Sequence, residues 1–116
     1  MRGASALLAC GLLFAPAAAQ VVSAPFDRMV EVQPDGLSWL VLRYVVPGLP
    51  EMGYAASVPE LDRLCGLDGV AWALAEGVDH VLVVLMDRPV PRGQPDAEAT
   101  QFIGAYRLEA GTCHAE

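Results

Sequence analysis

Residues 37–46 read LSWLVLRYVV and form the strongest β-strand pattern in the chain. β-Branched and aromatic side chains dominate this segment, and they favour extended backbone. Because successive side chains of a strand point to opposite faces, Leu42 should lie on one face of the sheet with the other even-numbered residues. Trp39 and Arg43 should lie together on the opposite face. The segment therefore predicts a sheet, and its two faces should differ in character.

A hairpin is predicted around this strand. Pro34-Asp35-Gly36 precedes it, and this is turn composition, since proline presets one dihedral angle and glycine accepts a positive φ. Residues 26–33 before the turn alternate as a strand does. The segment 26–46 is therefore expected to be two antiparallel strands.

Two further strands are expected downstream. Residues 79–86 read DHVLVVLM, the pattern of a central strand that is covered on both faces. Residues 97–108 are ambiguous, because alanine and glutamate favour a helix while the alternation within the segment favours a strand. We favour the strand.

Between the two strand pairs the sequence predicts two helices. The first begins at Ser57, where a capping-box pattern starts, and ends at Gly66. Asp68 caps the second, which runs over Gly69–Glu76 and is stopped by Gly77. Cys65 falls on the core-facing side of the first helix. The order ββααββ predicts an α+β two-layer domain with a mostly antiparallel sheet of about four strands.

The first 19 residues have the pattern of a secretory signal peptide. Arg2 is the only charged residue before Asp27, an apolar run follows it, and small residues precede Gln20. We place the cleavage between Ala19 and Gln20. Residues 20–116 then form a single domain, and we expect it in the bacterial periplasm or outside the cell.

Other interpretations of the N-terminus stay open. Leu7-Leu8-Ala9-Cys10 resembles a lipobox, and an acylated Cys10 would tether the protein to a membrane. A buried N-terminal helix is a further alternative. An uncleaved anchor is disfavoured because the apolar run is shorter than the roughly 20 residues that span a bilayer. After cleavage we expect no stable membrane span.

The charge of the chain bears on its partners. The 116 residues include 14 acids and seven bases, a net charge of −7, and every base is arginine. Loss of Arg2 with the signal peptide would leave a net charge of −8. An acidic domain of this size repels nucleic acid, so we expect no nucleic-acid partner, whereas a protein partner fits.

Signal cleavage would remove Cys10 and leave Cys65 and Cys113. In an oxidising compartment an even pair in a small domain predicts a disulfide. The bond would close a loop of 48 residues and contribute about 3–4 kcal/mol in the chain-entropy description. A metal site that adds His114 is the alternative, although its spacing matches no common zinc pattern.

The sequence contains no recognisable catalytic motif. No serine lies in a Gly-x-Ser-x-Gly elbow, and no phosphate-binding glycine loop occurs, so we assign no catalytic residue, metal or cofactor. His80 is expected to be a half-buried, hydrogen-bonded histidine. One polar cluster is a candidate site: Asp87, Arg88 and Glu98 could form an anion clamp, or simply a surface ion pair.

The C-terminal half contains the segments DRPV at 87–90, PDAEATQF at 95–102, YR at 106–107 and GTC at 111–113. In these segments the chain resembles a family of small exported proteins of unknown function from alphaproteobacteria. Members pair a central cysteine with a late Gly-Thr-Cys, which Cys65 and Cys113 match. Where members commonly have two aromatic residues after Thr-Gln, this chain has Phe102 and Ile103. No activity is established for that family, so the resemblance implies export and the disulfide but no mechanism.

Together these patterns predict a non-enzymatic structural or partner-binding domain that is held by one disulfide. The alternative is a small ligand-binding protein or enzyme with a polar site at Asp87, Arg88 and Glu98. A third hypothesis is a module that binds partners along a sheet edge, because an open sheet allows strand addition.

Overall fold

The structure is a computed structural model, and it describes residues 24–116. Five strands are present: β1 Asp27–Val32, β2 Ser38–Val45, β3 His80–Met86, β4 Gln101–Glu109 and β5 Thr112–Ala115. Between β2 and β3 the chain forms α1 (Leu49–Leu64), a π-helical turn (Cys65–Gly69) and α2 (Val70–Glu76). The predicted signal peptide, its cleavage site at Ala19–Gln20 and Cys10 lie outside the described residues.

The strands lie in the sheet in their chain order, β1-β2-β3-β4-β5. β2 and β3 are parallel, and the other three neighbouring pairs are antiparallel. The α+β class is confirmed, and three of the four strand pairs are antiparallel, but the sheet is mixed and has five strands rather than about four, and one joined helical segment replaces the two helices of the expected ββααββ order. The helical segment crosses back over the sheet, so that β3 enters from the same end as β2. After Gly111 the chain also turns into β5, a fifth strand that the sequence did not predict.

The predicted hairpin is confirmed. β1 and β2 pair antiparallel from Asp27 opposite Arg43 to Val32 opposite Ser38. The Asp35 carboxylate accepts the Leu37 backbone N–H at 2.9 Å, a local bond that closes the turn.

The helical segment differs from the two separate helices that the sequence predicts. It begins at Leu49 and bends at Gly53, whose φ of +80° is outside the helical region. Ser57 is not a cap: it is fully buried, and its hydroxyl donates to the Gly53 carbonyl at 2.7 Å. A buried hydroxyl needs a partner, and the carbonyl four residues earlier is the nearest one available in a helix.

The helical segment also continues past Gly66, where the sequence predicts an end. The π-helical turn joins α1 to α2, and Asp68 caps neither of them. The segment ends at Gly77, as predicted, where φ is +73° and the Val78 N–H reaches back to the Ala73 carbonyl at 3.0 Å. The chain therefore has one joined helical segment.

The hydrophobic core lies between this segment and one face of the sheet. Even-numbered residues of β2 and odd-numbered residues of β3 face the helices, which confirms the predicted alternation of β2. The largest fully buried side chains of the two strands are Leu40, Leu42, Tyr44, Val81, Val83, Leu85 and Met86. All of these except Met86 pack against the helical residues in the core.

The predicted disulfide is present between Cys65 and Cys113, with an S–S distance of 2.06 Å and a Cα–Cα distance of 6.4 Å. Cys65 has no exposed surface. The bond fastens β5, an edge strand of only four residues, to the helical segment. Because both sulfurs are in the disulfide, neither is a thiolate that could bind a metal in the alternative site with His114.

Within residues 24–116, no helix combines the length and the apolar composition that crossing a membrane requires.

Candidate functional site

The helices cover one face of the sheet, and we call the opposite face the open face. The connection between β3 and β4, residues 87–100, folds back over part of it, and we call this connection the strap. Its two ends are joined by two hydrogen bonds between Asp87 and Thr100. The Asp87 N–H donates to the Thr100 carbonyl at 3.0 Å, and the Thr100 N–H donates to the Asp87 carboxylate at 2.9 Å. Val90 of the strap is 4% exposed and lies against the open face.

Arg43 anchors the strap from the middle of β2. Its Nε and Nη2 donate to the two carboxylate oxygens of Asp27 on β1, at 2.9 and 2.6 Å. Its Nη1 donates to the Val90 carbonyl at 2.7 Å. The residue is 8% exposed, so its charge is buried and satisfied by two separate segments of the chain.

A second arginine fastens the strap to β1. Arg92 donates to Asp27 at 2.9 Å and also forms an ion pair with Glu31. The hydrogen bonds from Arg43 lower the pKa of Asp27, and Arg92 adds to the effect against the opposing influence of burial. The strap is therefore held across β2 and β1 by an ionised carboxylate between two guanidinium groups.

The predicted polar cluster lies at the base of the strap. The Arg88 guanidinium bonds to the Asp87 carboxylate at 3.2 and 3.0 Å, and Glu98 stands 4.0 Å away. The bond from Arg88 lowers the pKa of Asp87. Since Asp87 also accepts the Thr100 N–H, it serves to close the strap. The structure thus brings all three residues together, and their binding of a ligand remains a hypothesis.

Exposed apolar side chains lie on the part of the open face that the strap leaves uncovered. Met29 is 43% exposed and Ile103 is 51% exposed, and both point away from the helices. Pairing registers align Met29, Val41, Leu82 and Ala105 in one row across four strands. Beside this row an open groove of about 410 Å³ is lined by Trp39, Leu82 and the β1–β2 turn residues Gln33, Pro34 and Asp35.

A row of polar and aromatic residues borders the apolar row. His80 packs against Trp39 with ring centroids 4.8 Å apart, and its Nδ1 lies 2.9 Å from the Asp79 carboxylate. It is therefore the half-buried, hydrogen-bonded histidine that the sequence predicts. On the far side, Arg107 pairs with His80, and His114 pairs with Arg107 in the strand registers.

Two buried tyrosines on the other face use acidic partners from the helical segment. Tyr44 donates to Asp68 in the π-helical turn and Tyr106 donates to Asp62, each at 2.7 Å. Burial, followed by the bond to the carboxylate, raises the pKa of both phenols well above the ordinary range. Both tyrosines therefore stay neutral and act as hydrogen-bond donors that fix the helices on the sheet.

Acids outnumber bases in the helical segment. The helical segment Leu49–Glu76 contains a single base, Arg63. Its acids are Glu51, Glu60, Asp62, Asp68 and Glu76. The arginines of the open face and the strap are instead matched by neighbouring carboxylates.

Sequence reasoning missed the Arg43–Asp27–Arg92 network. The pattern of β2 placed Arg43 on the same face as Trp39, and residues 27–32 alternate so that Asp27 and Glu31 share a face with Met29. That common parity was the available signal. The position of the strap had no such signal, because the contacts that hold it join residues 47 to 65 positions apart in the chain.

Comparison with known proteins identifies a family. The model of a family described as a family of unknown function, DUF6497, matches residues 11–116. No curated protein matches the chain, and no solved structure does.

Proposed function

We propose, from the premise that the chain belongs to the family of unknown function DUF6497, that it is an exported domain that binds a protein partner and catalyses no reaction. It acts in the periplasm or outside the cell after cleavage between Ala19 and Gln20. Two observations support export: the signal-peptide pattern of the first 19 residues, and a disulfide between the two cysteines that cleavage would leave. Disulfides persist mainly in oxidising compartments.

The observation that carries partner binding is the apolar surface of the open face that the strap leaves uncovered. β2 and β3 are a parallel pair, and such strands are normally covered on both sides. Here the helices cover one side, while Leu82 and Trp39 stay half-buried and Met29 and Ile103 stay exposed on the other. Contiguous apolar surface on a soluble domain typically marks an interaction site.

Catalysis has less support. The polar groups nearest to the open face are engaged with one another: Arg43 with Asp27, Arg92 with Glu31, and Arg88 with Asp87. An enzyme needs a nucleophile or base beside a pocket with groups free to contact a substrate. The groove beside Trp39 presents mainly an aromatic ring, an aliphatic side chain and a turn. This composition suits contact with a protein surface.

Export is tested by the N-terminus of the protein recovered from intact bacteria. We expect a periplasmic product that begins at Gln20 and carries no free thiol, as measured by intact mass without reductant. A diacylglycerol-modified Cys10 would replace soluble export by a membrane tether. Full-length protein in the cytoplasm would contradict the proposal.

Partner binding is tested by placing a photo-crosslinking amino acid at Ile103 in the exporting cell. Leu74 is the matched control, since it is also apolar and exposed, at 71%, but lies on α2 on the opposite side of the domain. We expect a discrete protein adduct from position 103 and none from position 74. Equal labelling at both positions, or no adduct at position 103, would refute binding through the open face.

A further inference from the structure

We propose that the outer edge of β1, together with a small cavity between β1 and α2, binds the C-terminal end of a partner protein. We call this edge and cavity the β1 site. The bound segment adds to the sheet as a further strand, with an apolar terminal side chain in the cavity and its terminal carboxylate on Arg28. The β1 site lies on the helical side of the sheet, so it is separate from the apolar surface of the open face and goes beyond the proposed function.

The edge of β1 offers backbone hydrogen bonds. Within the part of the chain that the structure describes, β1 is an edge strand that pairs with β2 alone. The Gln33 N–H donates to the Leu37 carbonyl at 2.8 Å, so these two residues form a hydrogen-bonded pair of the β1–β2 ladder. Bonded and non-bonded pairs alternate in such a ladder. Arg28, Val30 and Val32 therefore direct their backbone N–H and C=O groups outward, where an added strand can pair with them.

A cavity of about 130 Å³ lies beside these residues, between β1 and α2. Leu40, buried in β2, lines its inner end, and the half-buried side chains of Val30 and Trp72 line its sides. The Met29 side chain is on the open face, so Met29 lines the cavity with its backbone, and the cavity reaches the edge of the strand. A cavity of roughly 150 Å³ holds a molecule the size of benzene. The cavity therefore suits one aliphatic side chain.

Arg28 supplies a positioned cation. It is exposed, and its guanidinium carbon lies 4.0 Å from the centroid of the Trp72 ring, at the mouth of the cavity. Stacking uses the flat face of the guanidinium and leaves its in-plane N–H groups free for a carboxylate. The chain has 14 acids and seven bases. Even so, Arg28 is in no ion pair within residues 24–116, whereas each of the other five arginines there is in one.

Together these three features identify the class of ligand. The edge takes the backbone of an extended chain, the cavity takes an apolar side chain, and Arg28 takes a carboxylate beside it. The C-terminal end of a protein that finishes in an apolar residue carries all three groups. An internal segment of a protein lacks the carboxylate, and a small free carboxylic acid lacks the backbone.

The position of Arg28 sets the direction of the bound strand. Arg28 is near the start of β1, and Val30 and Val32 follow toward its end. With the terminal carboxylate on Arg28, the preceding residues of the ligand lie along Val30 and Val32, so the added strand runs antiparallel to β1. Alternate side chains of a strand share a face. A further apolar residue of the ligand therefore lies beside Val32, whose side chain is 71% exposed.

Glu76 limits the charge of the ligand. It is exposed at the mouth of the same cavity, and within the described residues it forms no ion pair. Its carboxylate repels a second anionic group at this place. We therefore expect the site to prefer ends with one carboxylate and to bind less well when acidic side chains stand next to the terminal residue.

The test uses two pools of synthetic hexapeptides that end in valine, leucine or isoleucine and are random elsewhere, one with free C-terminal carboxylates and one amidated. The processed protein, immobilised with its disulfide intact, should retain peptides of the first pool. A retained peptide should bind at least tenfold more tightly than its amide, since hydrogen bonds to charged groups are strong. Arg28→Gln should abolish this preference. Arg107→Gln removes the same charge from β4 and is the matched control, which should bind as the wild-type protein does. Near-ultraviolet circular dichroism establishes that both variants are folded.

Amide chemical shifts locate the bound peptide. Titration should shift the Val30 and Val32 amides and the indole N–H of Trp72, and it should leave the Leu82 amide unchanged. Retention of neither pool, equal binding of acid and amide, or shifts that spare β1 would overturn the inference. Isovalerate that binds as tightly as the peptide would identify a site for small acids and overturn strand addition. A peptide bound at β1 in a protein whose position 103 gives no adduct would leave this inference standing and overturn binding through the open face.

Discussion

The Arg43 guanidinium and the Asp27 carboxylate meet through two hydrogen bonds, of 2.9 and 2.6 Å, on the face of the sheet opposite the helices. Arg43 is 8% exposed, and its third nitrogen contacts the carbonyl of Val90. One arginine in the middle of a central strand therefore holds both the edge strand β1 and the strap. The pair therefore helps to hold the strap in place over part of the open face.

Removal of one partner of this pair should destabilise the domain. In Asp27→Ala the cation of Arg43 stays buried without its carboxylate, and we expect a loss of about 2–3 kcal/mol in the free energy of unfolding. The double variant Asp27→Ala/Arg43→Met removes the buried charge as well and should recover part of the loss. Urea unfolding measures the free energy of unfolding of the single and the double variants. If the effects of Asp27→Ala and of Arg43→Met, each measured alone, simply add in the double variant, the pair is not coupled as the structure indicates.

Acid should weaken the same network. The hydrogen bonds from Arg43 lower the pKa of Asp27 from its ordinary value of 3.8. A carboxyl with a lowered pKa contributes stability that is complete above the unfolded-state pKa and is lost as the pH falls through the folded-state pKa. The wild-type protein should therefore exceed Asp27→Asn in stability by a constant amount above about pH 5 and lose this advantage below about pH 4. A difference that persists unchanged to pH 2 would mean that the charge of Asp27 is not responsible.

Local sequence rules predicted the parts of this fold that depend on neighbouring residues. The alternation in β2 identified its buried face, turn composition located the hairpin, and Gly77 marked the helix end. The parallel pairing of β2 with β3 was not predictable in the same way, because it depends on how the whole helical segment crosses the sheet. The start of that segment was missed because Ser57 resembles a cap in sequence, whereas burial makes it bond to the preceding turn.

In the candidate site too, the local contacts were predictable from the sequence and the long-range contacts were not. The sequence grouped Asp87, Arg88 and Glu98, which lie close together along the chain, and the structure brings them within 4.0 Å. The contact between Arg43 and Val90 could not be predicted from the sequence, because no local pattern indicates that the strap turns back over the sheet. Long-range placement of a connection depends on packing, and packing is determined by the complete set of contacts.

Loss of the disulfide should release β5 first. The bond between Cys65 and Cys113 closes a loop of 48 residues, so its removal should cost about 3–4 kcal/mol in the chain-entropy description. We expect the double variant Cys65→Ala/Cys113→Ala to remain folded with a lower stability. Amide hydrogens of β5 should then exchange much faster than those of β3. Equal acceleration in both strands would show that the bond supports the whole sheet rather than its edge.

Gly77 and Gly48 provide a matched pair of glycine positions. Gly77 has a φ of +73°, a conformation that side chains with a Cβ adopt only with strain. Gly77→Ala should therefore lower the free energy of unfolding by about 1–2 kcal/mol. Gly48 has a φ of −85°, and a Cβ added there would meet no other part of the protein within 4 Å, so Gly48→Ala should be neutral or slightly stabilising. Similar effects of the two substitutions would contradict the assigned helix end.

Two substitutions separate the structural role of the polar cluster at the base of the strap from a role in ligand binding. Asp87 accepts the Thr100 N–H as well as the Arg88 guanidinium, whereas Arg88 is half exposed. Asp87→Ala should therefore lower the midpoint of urea unfolding, and Arg88→Ala should leave it unchanged, because exposed ion pairs contribute little. If Arg88 clamps an anionic ligand, Arg88→Ala will abolish chemical-shift changes that phosphate or acetate induces in the Asp87 and Thr100 amides. If the wild-type amides do not respond to either anion, these residues serve only to close the strap.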